Sequence, residues 1–457
     1  MRIFSCVLAS AALLTVCTMQ TMAVLVPPKG MDIEKWLQSW NSNATPLRFD
    51  GDQVWSLSVQ SEAQLEMLNI IAETFALDFW TPLRIGQVDV RIPSSLQTGF
   101  KILFSPFEYS VRIDDVQGLI DLQAEAAGPA LDSDQIVLDP SSTHDSVKSW
   151  FKQYHTYDEI LKHIHELQDK HPHLIQSFTV GQTFEGRDIH GFKVHNNASS
   201  AHPVRDIVFH GGHHAREWIG PAVVVYMLTE LVEKYSHDER ITALVDTFRF
   251  HIIPVLNVDG FVYTHTHNRM WRKNRQPNNL FCIGTDPNRN WGYKWGEKGS
   301  STNPCREDYQ GPFAFSAPES KNMANYLAQL APNVVSYIDW HAFGQMWMYP
   351  YGADCDRSVE PVIGEAAQAA AKALKSVHGT KYAVGSICNV IYVASGSSID
   401  WAYTSANVTF AYGVELRDTG KHGFLLPPDQ IIPTAEETFE GALTLYEFIA
   451  KHEKQQL

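Results

Sequence analysis

Apolar and polar residues alternate over three short stretches near the start of the chain. The stretches cover residues 55–59, 88–92 and 109–113. A period of two residues is typical of strands with one buried face. Helical spacing of apolar residues follows the first and the third stretch, at 62–76 and 114–127. The pattern predicts a small α+β module over about residues 50–127.

A change of composition and period marks a boundary after this module. Residues 128–147 are rich in Asp, Ser and Pro and contain no Lys or Arg, which is typical of an exposed linker. Thr156 and Glu159 then have the spacing of a capping box, and apolar residues at helical intervals follow them. We therefore expect a larger domain from about residue 148 to residue 457.

The larger domain contains four apolar, β-branched runs. They cover residues 206–209, 248–258, 334–338 and 408–414. Helical stretches such as 221–235 separate the runs, and this alternation predicts an α/β fold with helices on both faces of a central sheet. Ligands of such folds lie beyond the carboxyl ends of strands, so residues just after the runs are the candidates for chemistry.

Charge excludes one class of partner. The 457 residues include 36 basic and 51 acidic side chains, for a formal net charge of −15, and no basic tract is present. A chain that binds a phosphate backbone needs a concentration of Lys and Arg. We therefore expect no nucleic acid as a partner.

The first residues have the features of a signal peptide. Arg2 precedes an apolar stretch at 3–16, and residues 21–23 read Thr-Met-Ala, the small-x-small form of a cleavage site. Polar residues interrupt the stretch before it reaches the ~18 apolar residues of a membrane span, and no later segment is long enough. The sequence predicts a signal peptide at 1–23, a secreted, extracellular protein and no membrane association.

Cysteine usage agrees with export. Cys6 and Cys17 would leave with the signal peptide, and four cysteines would remain. These are Cys282, Cys305, Cys355 and Cys388. An even number in an exported protein favours two disulfides, for which three pairings exist. Glycan acceptor triplets begin at Asn43, Asn197 and Asn407; they favour export and predict a glycoprotein.

Candidate metal ligands follow two of the apolar runs. His214 and Glu217 are three residues apart, just after the run at 206–209, and His341 directly follows residues 334–340. Catalytic zinc takes nitrogen and oxygen ligands of this kind and keeps one position open for water. The three residues therefore form a candidate zinc site.

Four long motifs resemble those of the pancreatic-type zinc metallocarboxypeptidases. They are His-His-Ala-Arg-Glu-Trp-Ile at 213–219, Asn-Arg-Met-Trp-Arg-Lys at 268–273, Asp-Pro-Asn-Arg-Asn-Trp at 286–291 and Glu-Leu-Arg-Asp-Thr-Gly at 415–420. The resemblance runs from about residue 154 nearly to the C-terminus. It implies a mixed central sheet and one Zn²⁺ per catalytic domain, bound by His214, Glu217 and His341.

The resemblance also implies roles for the other motif residues. Glu415 matches the general base and acid, and Arg272 matches the cation that stabilises the oxyanion. The residues matching those that bind the substrate's terminal carboxylate or close over it are Asn288, Arg289, Tyr392 and, as an accessory contact, Arg216. For Arg216, a salt bridge of the ligand loop is the alternative. Asp286 matches the carboxylate behind His214, with a turn-capping role as its alternative. His213 is expected to pack rather than to act as a fourth ligand.

Specificity depends on the pocket for the last side chain. Ile399 occupies the position that carries an acid in family members selecting Lys or Arg. The other candidate walls are uncharged: Met348, Gly352, Ile387, Ile391 and Ala394. An apolar pocket cannot compensate a buried cation, so we expect an A-type enzyme that removes large hydrophobic or aromatic residues from peptide and protein C-termini. Phe343 replaces the family's usual Tyr, which removes a hydroxyl from an outer subsite.

The module at 50–127 resembles the propeptide of these proenzymes, which folds as an α/β sandwich over the active site; an independent binding domain is the alternative. We therefore predict a propeptide at 24–147, a catalytic domain at 148–457, an activating protease as a partner and a monomer. The nearest basic residue after the linker is Lys148. The resemblance further implies the disulfides Cys282–Cys305 and Cys355–Cys388.

Two other functions compete with this prediction. A catalytically inactive carboxypeptidase-like binding protein would lack a ligand or the base, and an amidase of the same fold would not need Asn288, Arg289 and Tyr392 together. This sequence retains all of these residues.

Overall fold

The computed structural model describes residues 45–75, 77–126, 148–196 and 204–456. The predicted signal peptide, the linker at 128–147 and the glycan triplets at Asn43 and Asn197 lie outside the described residues. Asn407 is described; it is exposed and has a φ of 57°.

The N-terminal module is a four-stranded antiparallel sheet with three helices. Its strands are β1 Gln53–Val59, β2 Asp78–Phe79, β3 Gly86–Ile92 and β4 Glu108–Ile113, in the order β2-β3-β1-β4. Its helices are α1 Glu62–Phe75, α2 Gln97–Leu103 and α3 Val116–Ala126. The expected buried face is wrong for β4, because Tyr109 and Val111 are 39% and 46% exposed. This strand forms an edge of the sheet, and only Ile113 of its alternating set is buried.

The second sheet has eight strands. They are β5 Ile175–Gln182, β6 Asp188–Val194, β7 Arg205–Gly211, β8 Phe248–Ile253, β9 Val334–Ala342, β10 Met346–Tyr349, β11 Ala383–Ser386 and β12 Phe410–Leu416. Their order is β11-β10-β12-β9-β7-β8-β6-β5. The inner strands β12, β9, β7 and β8 are parallel, and antiparallel pairs join them to β10 and β6. The predicted mixed sheet is confirmed.

Helices cover both faces of this sheet. They are α4 Tyr157–Lys170, α5 Ile219–Glu233, α6 Glu239–Thr247, α7 Val258–Thr266, α8 Pro318–Leu330, α9 Pro361–His378, α10 Ile387–Val390, α11 Ser398–Thr404 and α12 Ile431–Gln456. Helix α5 is almost fully buried and packs against β7, β9 and α12. Helix α4 begins with the predicted capping box, in which Thr156 and Glu159 bond reciprocally.

Parallel strands bring distant residues to one edge of the sheet. The apolar run at 334–338 continues as β9, so His341 lies within the strand rather than after it, and Glu415 lies within β12. His341 and Glu415 face each other in register across these two strands. The run at 248–258 is not one strand, because β8 ends at Ile253 and Asn257 caps α7 through its side chain.

The second domain also contains two disulfides and an ion pair at its first described residue. Both predicted disulfides, Cys282–Cys305 and Cys355–Cys388, are present. Lys148, the first residue described after the linker, forms an ion pair of 2.8 Å with Glu436 of α12. Among the described helices, none is both long and apolar enough to cross a bilayer.

Candidate metal centre and substrate cleft

A tight turn after β7 presents the first two candidate ligands. Gly212 has a φ of 63°, and a Cβ at Gly211 would lie 2.8 Å from the backbone of Gly220. Glycine is the residue that tolerates both conditions. The chain thereby passes close to the start of α5, and His214 and Glu217 lie buried in the connecting loop.

Three candidate ligands converge, as the sequence predicts. His214 Nδ1 lies 2.7 Å from Glu217 Oε1, and His341 Nδ1 lies 2.9 Å from Glu217 Oε2. Each residue offers one ligand atom, and these atoms lie within 4.8 Å of one another. Burial opposes ionisation of Glu217, but the two imidazoles hold the pKa of its carboxyl below the usual range. Two imidazole nitrogens and an ionised carboxylate are donors that suit Zn²⁺.

Asp286 supports this cluster from behind and also caps a turn. Its Oδ1 lies 3.2 Å from His214 Nε2 and accepts a hydrogen bond from the backbone N–H of Asn288. Its Oδ2 accepts hydrogen bonds of 3.2 and 2.9 Å from Arg272. Although Asp286 is fully buried, Arg272 and His214 hold the pKa of its carboxyl well below the usual range. Both roles considered for Asp286 are therefore geometrically satisfied.

Glu415 stands beside the cluster without a hydrogen bond to one of its oxygens. Burial and, to a smaller extent, the neighbouring Glu217 raise the pKa of Glu415 to about 8, although His341 opposes the shift. Among the described side chains, Glu415 Oε2 is a buried oxygen without a hydrogen-bond partner. A carboxyl with a pKa near neutrality and a free oxygen suits proton transfer.

Two predicted substrate contacts lie on the turn after Asp286. The Asn288 side chain contacts His341, with Nδ2 3.1 Å from its Nε2, and its Oδ1 accepts from the backbone of Ser398. Arg289 donates hydrogen bonds to the Tyr392 hydroxyl at 2.5 Å and to the carbonyls of Asn288 and Gly299. These partners are all neutral, and within the described ranges no carboxylate lies at ion-pair distance from Arg289.

Ile399 lies on α11 among apolar neighbours. It is 2% exposed, and the predicted wall residues Met348, Ile387 and Ala394 are buried too. A Cβ at Gly352 would lie 3.0 Å from the Ala394 carbonyl and 3.1 Å from Ile387, so this position has no room for a larger residue. The acid next to Ile399, Asp400, accepts hydrogen bonds from the backbone of Gly352 and Ala353. Its carboxylate is therefore already bonded within the protein.

Arg216 is bound by the N-terminal module. Its Nη1 lies 2.6 Å from Oδ1 of Asp78 on β2, its guanidinium stacks on Phe424, and its side chain is 1% exposed. A salt bridge was one of the two roles considered for Arg216, but the partner belongs to the module and not to the ligand loop.

Further contacts hold the module against the second domain. Trp80 packs on Phe424, with ring centroids 5.2 Å apart, and Phe343 also packs on Phe424, at 5.0 Å. Arg84 donates to the carbonyl of Ile391, the residue before Tyr392, at 2.8 Å. The module therefore covers the segment that carries Tyr392 as well as Arg216.

One buried acid at this centre was not predicted. Asp339 lies two residues before His341 on β9, so both side chains project from the same face of the strand. Its carboxylate lies 2.7 Å from His213 Nδ1 and 2.9 Å from His341 Nε2. His213 thus makes a specific hydrogen bond in addition to packing. The i, i+2 spacing of Asp339 and His341 was the available signal.

A buried His-Glu-His cluster at the carboxyl ends of parallel strands, with a carboxyl beside it, is the donor set that a metal-dependent hydrolase of mixed α/β fold needs. The zinc carboxypeptidase family model matches residues 160–441, and the carboxypeptidase activation peptide model matches residues 55–123. The chain therefore belongs to the zinc carboxypeptidase family, and it carries an activation peptide.

Individual relatives agree with this assignment. The chain is 38% identical to human carboxypeptidase A1 over 416 residues, which is 88% of this chain and 95% of the relative. It is 43% identical over 302 residues to a metallocarboxypeptidase A-like protein of Trichophyton verrucosum, covering 65% of this chain and 71% of the relative.

Two solved structures share the architecture. Thrombin activatable fibrinolysis inhibitor matches with a TM-score of 0.78 and 29% identity, over 88% of this chain and all of that chain. Carboxypeptidase A from Helicoverpa armigera matches with a TM-score of 0.77 and 27% identity, over 89% of this chain and 99% of that chain. The chain is a zinc metallocarboxypeptidase of the A-like type, made as a zymogen.

Proposed function

We propose that the mature enzyme removes large hydrophobic or aromatic residues, one at a time, from the C-termini of peptides and proteins. The observation that carries this proposal is Arg289. It is a buried guanidinium beside the metal cluster, and its hydrogen-bond partners are a hydroxyl and two carbonyls. A buried cation without a directly paired carboxylate is costly, and the free carboxylate of a peptide end would supply that partner through charge-assisted hydrogen bonds.

His214, Glu217 and His341 would hold the zinc ion. The donor set fits, because both imidazoles turn Nδ1 toward the ionised Glu217 and have a carboxylate at Nε2. Bound zinc lowers the pKa of water toward 7 and polarises the substrate carbonyl.

Glu415 would carry the proton during the reaction. Its free oxygen would accept a proton from the attacking water, and the protonated carboxyl would return it to the departing amine. The environment of Glu415 suits both steps, since burial favours the neutral acid and His341 favours the carboxylate.

Arg272 would stabilise the negative charge that develops on the carbonyl oxygen. Asp286 accepts two hydrogen bonds from its guanidinium, which fixes the cation before the substrate binds. A cation that is already oriented needs no reorganisation in the transition state. Asp286 thus orients both Arg272 and the ligand His214.

The residue at the peptide end would be read at four positions. Asn288 and Arg289 would bind the carboxylate, Tyr392 would close over it, and Ile399 would contact the last side chain. An aromatic ring gains roughly 2 to 3 kcal/mol on burial at such an apolar wall. A Lys or Arg side chain would lose its hydration there without gaining an anion, since Asp400 is bonded to backbone amides.

Arg216 would contact the carboxylate on its way to Arg289, and the propeptide would block this path through Asp78. We propose the domain limits 1–23 for the signal peptide, 24–147 for the propeptide and 148–457 for the catalytic domain. The enzyme would be secreted as a monomer and activated by an extracellular protease.

The test is hydrolysis of two blocked dipeptides that differ only in a terminal Phe or Arg, before and after limited proteolysis, with zinc measured in the same sample. We expect one zinc per chain, activity only after proteolysis and a higher kcat/KM for Phe. A ratio that favours Arg would overturn the specificity. Zinc without activity on either peptide would favour an inactive binding protein.

A further inference from the structure

Asp339 joins three separate parts of the site through one carboxylate oxygen. The residue is fully buried. Its Oδ2 lies 2.9 Å from His341 Nε2 and accepts hydrogen bonds of 2.7 Å from His213 Nδ1 and from the Ser398 hydroxyl. Asp339 Oδ2 is thus the shared acceptor for groups on three different residues.

The contact decides which nitrogen of His341 carries the proton. Nδ1 faces Glu217 Oε2 at 2.9 Å, on the side of the proposed metal, and needs its lone pair for coordination. Nε2 then carries the proton, and Asp339 is the acceptor within reach. The amide nitrogen of Asn288 also lies 3.1 Å from Nε2. It is a donor as well, so it cannot replace Asp339, and its hydrogens remain available to a substrate.

The same carboxylate reaches the substrate side through Ser398. The Ser398 hydroxyl donates to Asp339, and its backbone N–H donates to Asn288 Oδ1 at 2.9 Å. Ser398 is the first residue of α11, and Ile399 follows it. A shift of Asp339 would therefore reach a metal ligand and the proposed carboxylate reader together.

We propose that Asp339 is a positioning residue for the metal centre, which holds His341 as Asp286 holds His214. Each imidazole ligand would then be backed by its own buried carboxylate. The inference rests on the proposed assignment of His214, Glu217 and His341 as zinc ligands. A carboxylate behind a ligating imidazole fixes the ring and makes the nitrogen more basic, and its loss typically weakens metal binding by 10- to 100-fold.

A different role for the same acid makes a different prediction. His210 Nδ1 lies 3.5 Å from Asp339 Oδ1, and neither buried atom has a hydrogen-bond partner among the described residues. His210, His213 and Asp339 together could hold a cation. However, Asp339 Oδ2 lies 2.9 Å from His341 Nε2 and accepts from His213 and Ser398, whereas His210 is farther away at 3.5 Å. We therefore assign Asp339 to His341. The number of zinc ions per chain separates the two roles.

The test compares Asp339→Asn with Asp206→Asn in the full chain. Asp206 is also fully buried and bonded to a histidine, His251, at 3.1 Å. It stands at the other end of β7 from the ligand loop, about 17 Å from Gly211 by the rise of a strand. Zinc affinity is measured by competition with a chelator at one pH, and the visible absorption spectrum is recorded with Co²⁺ in place of zinc.

We expect Asp339→Asn to weaken zinc binding 10- to 100-fold and to alter the cobalt spectrum, and Asp206→Asn to change neither. Equal zinc affinity in Asp339→Asn and the wild type, or equal loss in both variants, would overturn the inference. Two zinc ions in the wild type and one in Asp339→Asn would overturn it in favour of a second metal site. A wild-type chain that binds no zinc would instead refute the proposed ligand set.

Proton NMR of the cobalt-loaded wild type provides a test that needs no variant. Both ligand imidazoles should show a shifted Nε2–H signal that exchanges slowly with solvent, because each proton is bonded to a buried carboxylate. A His341 Nε2–H signal that exchanges rapidly with solvent would mean that Asp339 does not hold His341.

Discussion

Arg216 of the ligand loop and Asp78 of the propeptide form a buried ion pair, with 2.6 Å between Nη1 and Oδ1. Asp78 lies on the two-residue edge strand β2 and also pairs with Arg91 at 2.9 Å. Although burial alone would raise its pKa, the two guanidinium groups lower the pKa of Asp78 to about 2. The carboxylate of Asp78 in the propeptide thus occupies Arg216, which we propose as a contact for the terminal carboxylate of the substrate.

Asp78→Asn should weaken the hold of the cleaved propeptide. Removal of one partner from a buried pair typically costs 3–5 kcal/mol, which corresponds to a shift of more than a hundredfold. The measurement is the enzyme concentration below which the nicked complex becomes active on dilution. Asp50→Asn is the control, because Asp50 pairs with Arg48 at the surface and should change this concentration little. An equal effect of both variants would contradict the role of Asp78.

The same pair predicts a pH dependence of inhibition. The pKa of Asp78 is about 2 in the folded proenzyme, below the usual 3.8. Arg91 belongs to the propeptide, so only the part of this shift that Arg216 causes is lost on release; that part stabilises docking fully above pH 3.8 and less as the pH falls toward 2. Lowering the pH from 3.8 toward 2 should therefore increase propeptide release less in Asp78→Asn than in the wild type, when release in each protein is expressed relative to its value at pH 6.

Glu415→Gln should remove most turnover and leave the metal in place. The substitution keeps the shape of the side chain and leaves the proposed ligands His214, Glu217 and His341 unchanged. An amide, however, cannot carry the proton. We expect kcat to fall by about a hundredfold or more, with zinc content unchanged. A variant that kept more than about a tenth of the wild-type kcat would show that Glu415 is not the base.

Ile399→Asp should shift the preference toward basic C-terminal residues. The new carboxylate would pair with Lys or Arg, and it would also cost the apolar contact with aromatic rings. The measurement is the ratio of kcat/KM for Phe- and Arg-terminated substrates. Ile399→Val is the matched control and should keep the preference for Phe. A ratio unchanged by Ile399→Asp would place Ile399 outside the pocket.

Glu319→Gln should stabilise the protein above neutral pH. Glu319 is fully buried at the start of α8 and accepts a hydrogen bond of 2.8 Å from Asn274. Burial raises the pKa of Glu319 to about 7, from an ordinary 4.5. The unfolded chain therefore loses this proton at lower pH than the folded chain, and stability falls between pH 4.5 and 7.

The size of this effect follows from the pKa shift of Glu319, since a shift of one pKa unit corresponds to about 1.4 kcal/mol. Glu319→Gln should recover roughly 3 kcal/mol at pH 8 relative to its effect at pH 4, as measured by urea unfolding at both pH values. An identical difference between wild type and variant at both pH values would show that Glu319 ionises normally.

The sequence predicted the parts of the fold that are dominated by buried apolar runs. Strands β7, β8, β9 and β12 are such runs. The sequence pattern did not predict the hairpin of β5 and β6, because β5 is an edge strand whose side chains are mostly exposed or half-buried. An edge strand does not need the continuous apolar pattern of an inner one.

The candidate site was predictable to the extent that motifs carry it. His214, Glu217 and His341 do come together, because parallel strands end at one edge of the sheet. Arg216 and Asp78 are 138 positions apart in the sequence. Their contact depends on how the module docks on the second domain, and a local sequence pattern cannot predict that. Asp339 was missed because an acid inside an apolar strand has no defined partner until the strand is placed beside His213 and Ser398.

The ion pair between Lys148 and Glu436 has a consequence for maturation. A trypsin-like protease must draw a basic side chain into a deep acidic pocket, and Lys148 would first have to leave Glu436 of α12. The preceding residues 128–147 offer such a protease no Lys or Arg at all. Conversion to the active form should therefore be faster with a protease that reads apolar or small residues than with trypsin, and the new N-terminus would then lie upstream of Lys148.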